Sequence, residues 1–307
     1  MASPLSSIVR PLAGRFAMRL RVCYLALLTT LGILFCAATY PSTQTSQVQI
    51  AAPAARHAEA PQPEATAEEL ERKGDQLRSD KAFLDALDYL RAAAAKSPNN
   101  PKLLNKIGIV QLQMVRYSDA RKSFEAAIHM DRGYADAHNN LGVDYYLQES
   151  AKAAAKVRGG SQPGSWASGD FGRAIKEYRK AIKLQEDSAS FHSNLGTAYF
   201  AKKDFAKAVA AYSRALELDP DVFEHTSRVG VAAQTSSPGD RAEYFYLLAR
   251  MYAKSGSTER SLSYLRRAME DGYKDINKIL RDDEFAAVRN DPRFSALMSH
   301  KPSAITE

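Results

Sequence analysis

The stretch Ala189–Val222, ASFHSNLGTAYFAKKDFAKAVAAYSRALELDPDV, constrains the whole chain, because most of the remaining sequence can be laid beside it as degenerate copies. It reads as one helix hairpin. Its first half places Leu195, Gly196 and Tyr199 on one helical face, and its second half does the same with Ala208, Tyr212 and Ala215 before Pro220 ends it. Small residues at fixed places on an apolar face mark points where two helices approach closely. A chain built from such copies buries its apolar residues between neighbours, so 307 residues with 45% apolar composition need no single central core.

Leu-Gly-x-x-Tyr, Ala-x-x-x-Tyr, Ala and Pro at these spacings within 34 residues resemble the tetratricopeptide (TPR) repeat. The resemblance implies an all-α fold, a TPR helix-hairpin solenoid wound as a right-handed superhelix, with the array at 67–275. A first copy runs from Ala67 to Asn100 with Gly74, Ala86, Leu90, Ala93 and Pro98 at the markers, and Lys73 in place of the expected Leu suits a terminal unit. The second, Pro101–Tyr134, opens with Asn100 as N-cap and Pro at the first helical position, and carries Ile107, Gly108, Ala120, Phe124 and Ala127.

The third copy begins at Ala135 with Leu141, Gly142 and Tyr145, but its Ala174 and Tyr178 come twenty residues late. The insertion at 150–169 therefore sits in the turn between paired helices: Glu149–Arg158 extends the first helix, and GGSQPGSWASG, Gly159–Gly169, forms a loop. After the fourth copy, a complete unit starting at Ala242 places Leu248, Ala249, Tyr252, Ser261, Leu265 and Ala268 in register, leaving Phe223–Gln234 as a connecting helix. A competing register pairs Gly230 with Ala242 and Ala249. The segment 276–307 is expected to form short C-terminal capping helices and a tail, with Phe285, Val288, Phe294 and Leu297 covering the last repeat.

Ahead of the repeats, Arg10, Arg15, Arg19 and Arg21 precede VCYLALLTTLGILFCAA, Val22–Ala38, 17 residues without a charge. That length falls between a removable signal peptide and a spanning anchor, so 1–39 is read as one or the other. In either case the repeats are expected outside the cytoplasm: membrane-anchored if residues 22–38 stay uncleaved, periplasmic or secreted after a cut near Ala38. Phe35 before Cys36 argues against a lipid-modified cysteine. Residues 40–66, poor in large apolar side chains, read as a disordered linker.

The formal charge of +7 is unevenly placed: residues 1–66 hold five arginines and two glutamates, leaving 37 basic and 33 acidic residues in the rest. Basic and acidic residues are expected to mix along helix faces, which speaks against nucleic acid as a partner. Cys23 and Cys36, the two cysteines, both lie in the apolar run, so downstream thiol chemistry and cysteine metal sites are excluded.

The sequence offers no catalytic constellation. The Gly-rich insertion lacks the Lys-Ser or Lys-Thr ending of a phosphate-binding loop, and no His-Glu-x-x-His occurs. His138 and His192 share one repeat position and read as packing residues; a metal pair across repeats is the alternative, with Asp136 as the nearest carboxylate. No catalytic, cofactor-binding or metal-ligating residue is assigned, no cofactor is expected, and no small-molecule substrate is indicated.

The resemblance does imply a ligand face, since stacked first helices line the concave groove of TPR arrays. Carried over position by position, the candidates are Lys102, Asn105, Lys106, Ile109 and Leu112 in the second copy, then Asp136, Asn139, Asn140, Val143 and Tyr146 in the third. The fourth supplies Ser190, Ser193, Asn194, Thr197 and Phe200. Asn140 and Asn194 share a position, and such a ladder of amides suits the N–H and C=O of an extended peptide. The carboxylate clamp of chaperone-binding TPR domains is matched only at Asn140. Trp166, in the insertion, is either a partner anchor or a residue folded back on its helix pair. The expected function is a non-enzymatic scaffold or adaptor of the cell envelope that holds peptide or helical segments of other proteins; an accessory or catalytic subunit using the insertion, and a self-assembling array, are the alternatives.

Overall fold

The computed structural model describes residues 59–158, 170–224 and 238–299. These contain twelve α-helices and two short 3-10 turns, and no strand among the described residues. The helices come as five successive antiparallel pairs: α1 (Ala67–Ser79) with α2 (Phe83–Lys96), α3 (Pro101–Gln113) with α4 (Tyr117–Met130), and α5 (Ala135–Arg158) with α6 (Gly172–Leu184). Then follow α7 (Ala189–Ala201) with α8 (Phe205–Leu218), and α9 (Pro238–Lys254) with α10 (Thr258–Glu270). Each of the first three pairs also packs against the next through its second helix. The chain divides into two units, Met1–Ala55 and Arg56–Glu307, and the described residues all lie in the second.

Local chemistry accounts for the helix starts. Thr66 forms a capping box with Glu69, accepting from the Glu69 N–H at 3.2 Å while the Thr66 N–H donates to Glu69 Oε2 at 2.8 Å. Asn100 caps α3 by accepting from the Lys102 N–H at 3.0 Å, with Pro101 at the first helical position as expected. The marker glycines explain the pairing. A Cβ built on Gly196 would lie 2.5 Å from Tyr212 ring atoms, and one on Gly142 would lie 2.7 Å from the Tyr178 ring. Only a bare Cα lets a ring on the second helix press that closely onto the first.

The turns inside the hairpins follow one rule and one exception. Lys81, Val115 and Lys203, and Gly256 in the last unit, occupy the same repeat position and all have positive φ, from 61° to 81°. The third unit departs from this: its helix α5 runs on through that position to Arg158, as the Ala- and Lys-rich composition there implies. Asp170 accepts from the Gly172 N–H at 3.2 Å and restarts the pattern. The loop Gly159–Gly169, with Trp166, lies outside the described residues.

The linker expected at 40–66 ends sooner than the sequence suggests. Tyr89 donates from its hydroxyl to the Glu59 carbonyl at 2.7 Å, Lys96 Nζ reaches the Pro63 carbonyl at 2.5 Å, and Ala65 packs on the core of the first hairpin. Backbone carbonyls bound from α2 hold 59–66 where composition alone predicts freedom. Phe223 and Glu224 form a turn, not the start of a connecting helix, and 225–237 lie outside the described residues. The pairing of α9 with α10 follows the register that opens at Ala242.

After α10 come α11 (Ile276–Arg281), 3-10 turns at Asp283–Phe285 and Val288–Asn290, and α12 (Pro292–Ser299). Phe285, Val288, Phe294 and Leu297 are buried in one cluster with Leu265, Ala268 and Met269 of α10. This is the expected cap. Among the described residues no helix is long and apolar enough to cross a membrane; Val22–Ala38 is not one of them.

Candidate ligand-binding face

The first helices α3, α5 and α7 touch one another directly along one side of the array. The sequence places its candidate residues there, and the structure divides them into two layers. Lys102 and Asp136 are exposed, and Lys106, Ile109, Leu112, Ser190 and Ser193 are half-buried, so these reach solvent. Asn105, Asn139, Asn140, Val143, Tyr146, Asn194, Thr197 and Phe200 are buried.

The buried layer is held together by one chain of amides. Asn194 Nδ2 donates to Asn139 Oδ1 at 2.9 Å, Asn139 Nδ2 to Asn140 Oδ1 at 3.2 Å, and Asn140 Nδ2 to Asn105 Oδ1 at 3.0 Å. Asn105 Nδ2 then donates to the Tyr134 hydroxyl at 3.3 Å. Amides suit this because each carries both a donor and an acceptor, so a single residue type continues the chain from helix to helix. Each of these amides is thereby tied to at least one neighbouring side chain, through part of its donor and acceptor capacity. Asn140, the one clamp-compatible residue, is inside this chain.

The other buried candidates are likewise committed to packing. Tyr146 lies against Phe171 with ring centroids 5.4 Å apart, and burial pushes its phenol up to about 12 against a hydrogen bond with Ser150. Thr197 donates to the Ser193 carbonyl at 3.0 Å and accepts from the Tyr212 hydroxyl at 3.1 Å. Phe200 meets Tyr244 edge-on at 5.6 Å.

The open layer is charged at its start. Lys106 Nζ lies 2.5 Å from both Glu71 Oε1 and Asp75 Oδ2. Burial works to lower the Lys106 pKa, but the hydrogen bonds to Asp75 and Glu71 outweigh it and the net shift is upward. Desolvation raises the Asp136 carboxyl above its ordinary value, opposed by the nearby Lys102 charge. Farther along α3 the same face carries Ile109 and Leu112, and α7 adds the hydroxyls of Ser190 and Ser193.

Two polar groups on this side of the array escaped the sequence reading. His138 is buried as a packing residue should be, yet its Nδ1 lies 2.8 Å from Glu177 Oε2, and Lys180 reaches Glu177 Oε1 at 2.8 Å. Burial raises the Glu177 carboxyl, the hydrogen bonds from His138 and Lys180 lower it, and the net shift is down. Asp144 is fully buried and accepts from Arg121 Nε and Nη2 at 3.1 and 2.9 Å, while its Oδ1 has no partner. Arg121 and Arg173 each lie over the ring of the third-copy marker Tyr145, at 4.7 and 4.6 Å from its centroid. An Asp on the inward face of an amphipathic helix was the available signal; its Arg partner lies 23 residues away on another helix. His192 does not join His138: its Nε2 contacts the Glu186 carbonyl at 3.0 Å. Among the described residues no group of three or more His, Cys, Asp or Glu is placed to hold a metal ion.

Tetratricopeptide repeat family models match residues 105–157 and 165–222, and residues 242–270. Similar solved structures include a thermophilic TPR protein of Thermus thermophilus, at 19% identity over 73% of this chain and 100% of that one, with a TM-score of 0.46. MamA of Desulfovibrio magneticus matches at 16% identity over 71% of this chain and 99% of that one, TM-score 0.42. YrrB, described as a TPR protein with an unusual peptide-binding site, matches at 17% identity over 70% and 90%, TM-score 0.40. No curated protein sequence gives a match.

Proposed function

We propose that this chain, a string of tetratricopeptide hairpins, is a non-enzymatic scaffold that holds peptide or helical segments of other proteins on the face formed by α3, α5 and α7. The observation that carries the reading is the two-layer build of that face. A buried amide chain locks three successive first helices edge to edge, and above it Lys102, Asp136, Ile109, Ser190 and Ser193 stay open across more than one repeat. A rigid floor under an accessible, mixed surface is what an extended ligand requires, because the ordering cost then falls on the ligand alone. The ligand that fits meets charge at Lys102 of α3 and Asp136 of α5, apolar surface at Ile109 and Leu112 of α3, and hydroxyls at Ser190 and Ser193 of α7.

The basic flank and the apolar run Val22–Ala38 support an envelope location, with the repeats outside the cytoplasm and residues 22–38 as the membrane contact if they are retained. Site-specific photocrosslinking in cells tests both parts. Probes at Ile109, Ser190 and Ser193 are expected to give protein adducts that a probe at Lys122, on the second helix α4, does not. Equal labelling from all four positions, or none from the first three, overturns the assignment of the face, and protease accessibility of the repeats in intact cells tests the location.

A further inference from the structure

The five second helices are internal controls for one another, since their outward positions serve the same packing role in every hairpin. At three such positions α6 carries Lys176, Arg179 and Lys183. The equivalents are Asp88, Arg91 and Ala95 in α2, Lys122, Glu125 and His129 in α4, Ala210, Ser213 and Glu217 in α8, and Ser263, Arg266 and Glu270 in α10. Only α6 is basic at all three. The even mixing of charge expected from composition fails on this helix.

The stripe is also cleanly separated from the core. Ala174, Ile175, Tyr178 and Ala181 bury the opposite side of α6, and its one acidic residue, Glu177, is buried against His138. Lys180 is occupied by Glu177 and Arg173 by Glu149, at 2.8 and 3.2 Å. Lys176, Arg179 and Lys183 are exposed and form no ion pair with any described residue. The positive field extends to α8: Asp204 raises the Lys207 pKa, and the Arg179 charge works against that rise.

We propose that Lys176, Arg179 and Lys183 form a docking stripe for an acidic helical segment of a partner protein, with carboxylates recurring at i, i+3 and i+7. On an α-helix the first and last cations lie about 10 Å apart along the axis, and a facing helix repeats its side chains at the same intervals. Charge complementarity selects an anion, and narrowness selects its kind. A flat anionic membrane or a broad duplex pressed on the second-helix side also meets Glu125 and Glu217 at the same level of the neighbouring hairpins, whereas a single helix lies along α6 and avoids both. This surface is separate from the face formed by α3, α5 and α7 and does not depend on its assignment.

The test uses the full chain and a fluorescein-labelled alanine-rich helical peptide with glutamates at i, i+3 and i+7, followed by fluorescence anisotropy at low and physiological salt. The triple variant K176E/R179E/K183E is expected to weaken binding about ten-fold or more, three exposed ion pairs acting together. K122E on α4 is expected to leave binding unchanged, and raised salt to weaken it. If the triple variant melts earlier than the parent, the neutral pair K176Q/K183Q gives the same reading with a smaller loss. Undiminished binding in these variants overturns the proposal, as does equally tight binding of a peptide with the same glutamates in scrambled order. Loss of phosphatidylglycerol-vesicle binding in the triple variant, with the peptide unaffected, also overturns it and makes a lipid surface the ligand.

Discussion

The array is held together differently in its middle and at its C-terminal end. From α3 to α7 the first helices are joined through polar groups, a file of amides from Asn194 to Tyr134 with Asn139 at 0% exposure in its middle. From α8 onward the joint is aromatic: Tyr212, Phe223, Tyr252 and Tyr264 run together, with Tyr252 and Tyr264 stacked at 5.4 Å and 7°. Tyr246 stacks on Tyr273 at 4.3 Å and Phe285 closes the end. The two devices supply different things. Apolar rings stabilise through buried area and tolerate small slides, whereas an amide chain contributes little net energy but loses every bond if one helix shifts by a residue. The middle of the array therefore trades stability for register, and the exposed candidate positions stand over the part whose register is enforced.

The largest expected effect lies at the aromatic end. Phe285→Ala removes a fully buried ring from the cap and should cost about 3–5 kcal/mol in urea unfolding. A loss under about 1 kcal/mol would mean that the cap and α9 are not one cooperative block. Next comes the amide chain: Asn139→Ala leaves the Asn140 carbonyl without its Asn139 donor and removes the acceptor of Asn194, at a cost of about 2 kcal/mol. Asn139→Leu should cost no less, because the partners stay unsatisfied whatever fills the space. If leucine instead stabilises the fold, the chain is not the register device described above.

Val115→Gly is expected to stabilise by about 1 kcal/mol, since a β-branched residue at φ 61° and 63% exposure is strained and has few contacts to lose. The equivalent Gly256 already has that conformation in the last unit. No gain in melting temperature would show that the turn relaxes around valine without strain. The subtlest effect is the pH response of the third hairpin. Glu177 titrates below its ordinary value of 4.5, so its pairing with His138 and Lys180 stabilises fully above that value and is lost as pH falls through the lowered pKa. Urea midpoints measured from about pH 6 down to about pH 3 should fall less steeply for Glu177→Gln than for the parent. Parallel curves would detach Glu177 from the acid response.

Much of the fold was legible because its signals are local. Gly196 against Tyr212, Asn100 before Pro101 and the delayed Ala174 each depend on residues within one hairpin, and helical periodicity places them without knowledge of the neighbours. Even the elongated α5 could be read from its Ala and Lys content. The candidate face was legible only as a set of positions. Whether Asn140 meets a ligand or another asparagine depends on Asn105, 35 residues upstream on a different helix. Whether Glu59 to Ala65 float or bind depends in the same way on Tyr89 and Lys96.

The sequence by itself determined the hairpins, their glycine contacts and the cap that ends them, because i, i+3 and i+4 spacing is a property of the helix and travels with the residues. The tertiary structure alone decided which polar side chains are used up inside and which remain for partners. Stacking brings side chains up to 55 residues apart within hydrogen-bonding distance, as it does Asn139 and Asn194, and it leaves Lys176, Arg179 and Lys183 of α6 without an ion-pair partner among the described residues.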